Sequence, residues 1–199
     1  MSSADFDYFV IGGGSGGVRS ARVAAQHGAR VGIAESRRWG GTCVNVGCVP
    51  KKLLTMAEGY AATLRDASAL GWDFEDAAHD WAALIAAQDA EIARLNDVYT
   101  SLLCQAGCTI FNQQATPVDA HTIALNRRNV TADRILIATG GRPVVPGYAD
   151  LGPDLRNAIF TSDEAFHLQH MPIRVVIIGG GYIAAELPES FTVWAPKFR

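Results

Sequence analysis

The sequence predicts an α/β fold built on a parallel sheet, and three observations carry that expectation. A short apolar run, Phe6 to Ile11, ends in Gly12-Gly13-Gly14-Ser15-Gly16-Gly17. Val18, Ala21, Ala24 and Ala25 then recur at helical spacing up to Gly28. Ala29 to Ala34 supplies a second apolar run, with Glu35 at its end. Strand, glycine turn, helix and strand make a βαβ unit, whose crossover requires parallel pairing. With 199 residues, 49% hydrophobic and 19% charged, the chain has the composition to bury a core.

From Val49 to Leu70 and again from Trp81 to Leu103, small and apolar residues alternate with charges at a 3.6-residue period. These predict two long helices packed as a hairpin across the turn-rich Gly71 to Asp80. Cys108 to Asn112, Pro117 to Leu125 and Arg134 to Ala138 read as short strands of a β-meander, closing in Thr139-Gly140-Gly141-Arg142-Pro143. Beyond Pro172 the opening pattern returns. Val175 to Ile178, followed by Gly179-Gly180-Gly181-Tyr182-Ile183-Ala184, predicts a second strand, glycine turn and helix start.

Seventeen Lys and Arg against twenty Asp and Glu give a formal charge of −3, without the basic footprint of a nucleic-acid or polybasic membrane binder. No apolar run approaches the roughly 20 residues that span a bilayer. The N-terminus, MSSADFDYFVIGGG, lacks the basic region of a secretory signal, so the expected location is the cytoplasm. Four cysteines do not make the framework of a small secreted domain, and any disulfide is expected to be chemical rather than structural. Cys104 and Cys108 are expected to be small apolar fillers at a helix end and a strand start. His167 and His170 lack a third ligand, so no metal is expected.

Gly12-x-Gly14-x-x-Gly17 is informative because it follows a strand, opens a helix, and has an acidic residue, Glu35, 18 positions beyond Gly17. Without a Cβ, backbone can approach a pyrophosphate, whose charge then sits on unpaired N–H groups and the positive end of the helix dipole. There the carboxylate would reach a ribose hydroxyl; as an ordinary surface charge it would do nothing. The second informative stretch is GGTCVNVGCVPKK, Gly40 to Lys52. Pro50 as a helix starter puts Cys48 at a helix N-terminus beside two lysines, which favours thiolate and suits it to exchange. A zinc site would need further ligand pairs that are missing, and two inert core cysteines would not need flanking cations.

These residues resemble the flavin-dependent pyridine nucleotide–disulfide oxidoreductases over residues 5 to 187, through the glycine fingerprint, GGTCVNVGCVPKK, ATGGRP at Ala138 to Pro143 and GGGYIAAE at Gly179 to Glu186. The resemblance implies a Rossmann-like FAD-binding domain over 1–157, with the redox-cysteine helix and helical hairpin at about 40–106. It further implies a linker and the first strand and glycine turn of an NADPH-binding domain over 158–187. Gly12, Gly14, Ser15, Gly16, Gly17, Glu35, Thr42, Cys43, Lys51, Ala115, Thr139 and Gly140 would contact FAD. Gly179, Gly181 and Tyr182 would belong to the NADPH site, with Tyr182 as a gate over the nicotinamide pocket. By the same resemblance Cys43 and Cys48 form the redox disulfide, Cys48 against the flavin and Cys43 as the outer thiol that attacks substrate. Lys51 would lie beside flavin N5 with Glu186 as its ion-pair partner.

Lys51 directly after Cys48-Val49-Pro50 resembles members acting on glutathione or trypanothione disulfide; those acting on dihydrolipoamide or mercuric ion usually carry Ser there. Arg19 and Arg22 stand where the trypanothione type has an acidic and an aromatic residue, so charge complementarity points to glutathione disulfide. Ser15, Arg22 and Tyr99 would line that substrate's site. After Leu187 the family pattern is replaced by PESFTVWAPKFR, and Pro188 is expected to break the helix that Tyr182 begins. Regrouping one codon choice for residues 188–199 by a base gives a family-like continuation, so an out-of-frame tail is the expectation. In the family the rest of the NADPH domain, an interface domain of a homodimer and a catalytic histidine from the partner subunit follow, so residues 1–199 alone are expected not to turn over.

Overall fold

In a computed structural model of the chain, the described residues are 4–73, 78–145 and 158–192, without the side chains of residues 189, 190 and 192. The chain divides into two compact units, Met1–Asn45 with Ile92–Arg142, and Val46–Glu91 with Pro143–Arg199.

The first unit holds β1 (Phe6–Ile11), α1 (Ser15–Gln26), β2 (Val31–Glu35), most of α2 (Gly41–Val46), the later part of α4 (Trp81–Gln105), β3 (Thr109–Asn112), β4 (Ala115–Pro117), β5 (Thr122–Leu125) and β6 (Arg128–Ile137). The sheet order is β3-β2-β1-β6-β5-β4, parallel from β3 to β6 and antiparallel from β6 to β4. The α/β expectation with a parallel βαβ unit therefore holds. β1 is central, with Val10 opposite Ile33 on one side and Leu136 on the other. Its Phe9 and Val10 are fully buried, as a strand covered on both faces requires. One face packs Phe6, Phe9 and Ile11 with Ile123, Leu125, Val130 and Ala132. The other packs Val10 and Ile33 against Val18 and Ala21 of α1 and Leu103 of α4.

The meander differs from the sequence reading at two points. Pro117 to Leu125 is two antiparallel strands, because the Asp119 carboxylate accepts from the N–H groups of His121 and Thr122 and turns the chain between them. β6 begins six residues earlier than expected, since Leu125 pairs with Arg128 across a two-residue hairpin turn. Cys108 precedes β3. It closes the end of α4, donating its N–H to Leu103 O (3.0 Å) while Gly107 (φ 80°) donates to Cys104 O (2.9 Å), the paired bonds of a Schellman motif. Cys108 is buried against Leu103, whereas Cys104 is exposed and is not the filler expected of it.

The second unit holds α3 (Cys48–Ala69), the start of α4, α5 (Ser162–Ala165) and α6 (Tyr182–Thr192) around Leu54, Trp81, Ile85, Phe166, Leu187 and Phe191. The Trp81 indole N–H donates to Leu168 O (2.8 Å), and the Gln88 amide donates to Phe166 O (2.6 Å). Both predicted long helices form, but α3 buries only Pro50 and Leu54. Two expectations fail here. Val175 to Ile178 forms no strand and pairs with none among the described residues. Val175 and Ile177 pack on the core while Val176 and Ile178 are 88% and 74% exposed, so the period-2 pattern is real but the ladder that would make it a strand is missing. Nor does Pro188 end its helix, which runs on to Thr192. The lost N–H and the ring clash cost about 3 kcal/mol; burial of Leu187 and Phe191 offsets that at about 1.5–3 kcal/mol each. Residues 193–199 of the expected out-of-frame tail lie outside the described residues.

Candidate functional site

The β1–α1 turn is shaped by what its glycines leave room for. Gly12 has φ 113°, and a Cβ there would stand 2.3 Å from Ala138 O; one on Gly17 would stand 1.9 Å from Gly12 O. A Cβ on Gly13 would strike the Trp39 ring at 2.5 Å. Gly16, by contrast, faces open space, and Ser15 and Gly16 are exposed. Gly14 caps α1 without a side-chain bond, and the first turn carries no acidic residue. A helix N-terminus without a side-chain cap suits an anion.

Glu35 ends β2 with both oxygens engaged, one accepting from Gly13 N–H and the other from Arg37 N–H, each at 2.7 Å. A carboxylate has roughly four acceptor positions, so two remain for further donors. The segment from Trp39 lies alongside the turn. Gly40 N–H donates to Gly13 O (2.8 Å) and forms a parallel bridge with Gly14. On the other side Ala138 N–H donates to Ile11 O (2.8 Å), leaving Thr139 and Gly140 exposed beside the turn. Ala115 is instead buried in the sheet, paired with Leu125.

Cys43 lies within α2 and Cys48 is the first residue of α3. The two are disulfide-bonded, Cys104 and Cys108 being the free pair. Thr42 is exposed beside Cys43. Lys51 N–H donates to Gly47 O at the start of α3, and the Lys51 ammonium forms a 3.3 Å ion pair with Glu186 of α6. Gly179 has φ 141°, Gly181 is exposed, and Tyr182 opens α6 at 76% exposure.

Of the residues expected around the substrate, Ser15 is exposed, and Tyr99 packs its ring at the edge of the α1–α4 core. Arg19 is exposed, while Arg22 is half-buried with its Nε lacking a hydrogen-bond partner among the described residues. Burial pushes the Cys108 thiol up, against the opposing pull of the Arg22 guanidinium. Among the described residues no cluster of three or more His, Cys, Asp or Glu is placed to hold a metal, and no helix is long and apolar enough to cross a membrane.

Sequence reasoning passed over Trp39, Asn45, Asn96 and Asn112. The Trp39 indole donates to Asn112 Oδ1 (2.8 Å), and its carbonyl accepts from both Asn45 and Asn96. An uncharged amide in the middle of a cysteine loop was the one available signal.

A glycine turn between a strand and a helix, followed by a disulfide that spans four intervening residues, is the arrangement of a disulfide oxidoreductase. Residues 6–194 match the model of the pyridine nucleotide-disulphide oxidoreductase family, and the chain belongs to that family. Among curated relatives, a glutathione reductase of Burkholderia cepacia is 50% identical over 191 residues, covering 96% of this chain and 41% of the relative. A glutathione reductase of Nostoc sp. is 44% identical over 182 residues, 92% of this chain and 39% of the relative. A thioredoxin reductase of Emiliania huxleyi is 37% identical over 202 residues, covering 93% and 39%. The chain spans about two fifths of the length of these relatives.

Proposed function

We propose that this chain is the flavin-binding, disulfide-bearing portion of a glutathione-disulfide reductase, in which two electrons pass from NADPH by way of FAD to Cys43–Cys48 and then to glutathione disulfide. The observation that carries this reading is the disulfide, with Cys48 opening a 22-residue helix on which Lys51 pairs with Glu186. FAD, when bound, supplies the hydride-to-electron-pair chemistry that connects a nicotinamide with a disulfide.

The chain's own residues bind and orient. The glycines at 12, 14, 16 and 17 admit the pyrophosphate, the N–H groups of Ser15 and Gly16 receive it, and Glu35 takes the ribose hydroxyls. Thr42, Ala115, Thr139 and Gly140 complete the cofactor's surroundings. Lys51, held by its ion pair with Glu186, would present a positive charge to the flavin ring. Gly179, Gly181 and Tyr182 serve the nicotinamide nucleotide.

Once the disulfide is reduced, the Cys43 thiolate attacks one sulfur of glutathione disulfide, forming a mixed disulfide and releasing one glutathione as thiolate. The Cys48 thiolate, favoured by the α3 dipole, then attacks the Cys43 sulfur, expels the second glutathione and restores Cys43–Cys48. Two protons return to the two glutathiones, and one electron pair has passed. The Arg22 guanidinium pairs with a substrate carboxylate, and Ser15 and Tyr99 flank it.

Turnover of the full-length protein tests the reading: NADPH-dependent reduction of glutathione disulfide should outpace that of lipoamide or thioredoxin. The similarity to a thioredoxin reductase favours a second reading, a protein disulfide as substrate; faster turnover of thioredoxin would select it.

A further inference from the structure

We infer that Asn96 is a positioning residue for the Cys43–Cys48 disulfide, acting through Asn45. The inference deepens the proposed redox role of that disulfide and rests on it. Asn45 sits between the two cysteines and is almost fully buried. Its amide nitrogen donates to Trp39 O (3.0 Å) and to Gly41 O (2.9 Å), folding the entry to the loop onto α2. Asn96 reaches it from α4, 51 residues away, and donates to Asn45 Oδ1 (3.1 Å) and to the same Trp39 O (2.7 Å).

The bonds close on themselves. Each amide nitrogen has two N–H groups, and both are spent on each side; Trp39 O uses two lone pairs. The backbone acceptors also fix which way both amides face, since a flip would set oxygen against oxygen. A buried amide satisfied in this way is not a packing filler, because an apolar residue at either position would strand the other's polar atoms.

Forming the disulfide is a loop closure. Its equilibrium depends on the effective concentration of one thiol at the other, which rises when the intervening backbone is already held. The Asn45–Asn96 clamp holds that backbone from inside. Releasing it lowers the effective concentration and makes the disulfide easier to reduce. In the exchange with dithiothreitol, the reagent's two thiols become its cyclic disulfide while Cys43–Cys48 becomes two thiols, so electrons and protons balance.

The test equilibrates the protein in buffers of reduced and oxidised dithiothreitol, alkylates it, and reads Cys43 and Cys48 by peptide mass mapping. Asn96→Asp keeps the shape and loses the donors. It should shift the equilibrium about tenfold toward the dithiol, about 30 mV for a two-electron couple. Asn96→Gln, which keeps a donor, should recover part of the shift. Thr100→Ala removes side-chain bonds to Asn96 O and Asp97 O one turn further along α4 and should leave the equilibrium unchanged. Equal shifts in Asn96→Asp and Thr100→Ala, or none in Asn96→Asp, overturn the inference. If Asn96→Asp does not fold, Asn96→Ser takes its place under the same criteria. Failure of Cys43 and Cys48 to titrate together in the unaltered protein would instead bring down the redox reading itself.

Discussion

The chain contains two glycine turns of one pattern, Gly12 to Gly17 and Gly179 to Ala184, with different surroundings. The first follows a strand held between two parallel neighbours and buried on both faces. The second follows a segment of equally apolar residues that has no ladder among the described residues and exposes every other side chain. A Cβ on Gly12 or Gly17 would overlap backbone, whereas one on Gly180 or Gly181 would meet nothing within 4 Å among the described residues. The comparison teaches that the glycines permit a tight turn and the flanking sheet compels it. A motif becomes a site only where strands on either side leave no other path for the chain.

Truncating the two apolar runs should separate them most. Phe9→Ala removes a fully buried ring in contact with Phe6 and Phe111 and should destabilise the protein by about 3–5 kcal/mol. Val176→Ala should stay within about 0.5 kcal/mol. Chemical denaturation of the two variants measures both, and comparable losses would break the comparison. Next come the turns. Gly17→Ala drives a methyl into Gly12 O and should cost about 3 kcal/mol, with loss of copurifying flavin. Gly181→Ala should be nearly neutral in thermal denaturation.

The smallest effect sharpens how the second unit manages without a sheet around its apolar segment. There α5 is held by a capping box: the Asp163 N–H donates to Thr161 Oγ1, and the Glu164 carboxylate accepts from Thr161 N–H. Thr161→Ala should cost about 1 kcal/mol. The Thr161 hydrogen bonds hold the Glu164 carboxyl below its ordinary value of 4.5. A depressed carboxylate stabilises above the unfolded value and loses that contribution as pH falls through the folded one. The difference between wild type and Thr161→Ala should therefore be full at neutral pH and shrink on acidification below about pH 4.5.

What could be read in advance divides along physical lines. β1, α1 and β2 were legible because each carries its own period and the glycines mark the joints. Helix ends at Gly28 and Gly71 were legible, and each glycine has positive φ where the helix closes; Gly107, which closes α4 in the same way, was not read. The split of Pro117 to Leu125 was not, because the Asp119 turn depends on two specific hydrogen bonds rather than on a turn-rich composition. Val175 to Ile178 misled because strand status is a property of neighbours, which no local pattern contains. In the site, Cys43, Cys48 and the first glycines announced themselves by spacing. Asn45 and Asn96 stayed silent, since their meeting is set by α4 returning to the redox loop after 51 residues.

The central claim is that a bound flavin and the Cys43–Cys48 pair work as one redox unit. The visible absorption spectrum of the purified chain, recorded before and after anaerobic addition of dithiothreitol, tests it most directly. The account predicts a flavin band whose shape changes as the disulfide opens, with the change abolished in Cys48→Ser. A colourless protein after incubation with FAD, or a flavin band indifferent to reduction of that disulfide, would contradict it.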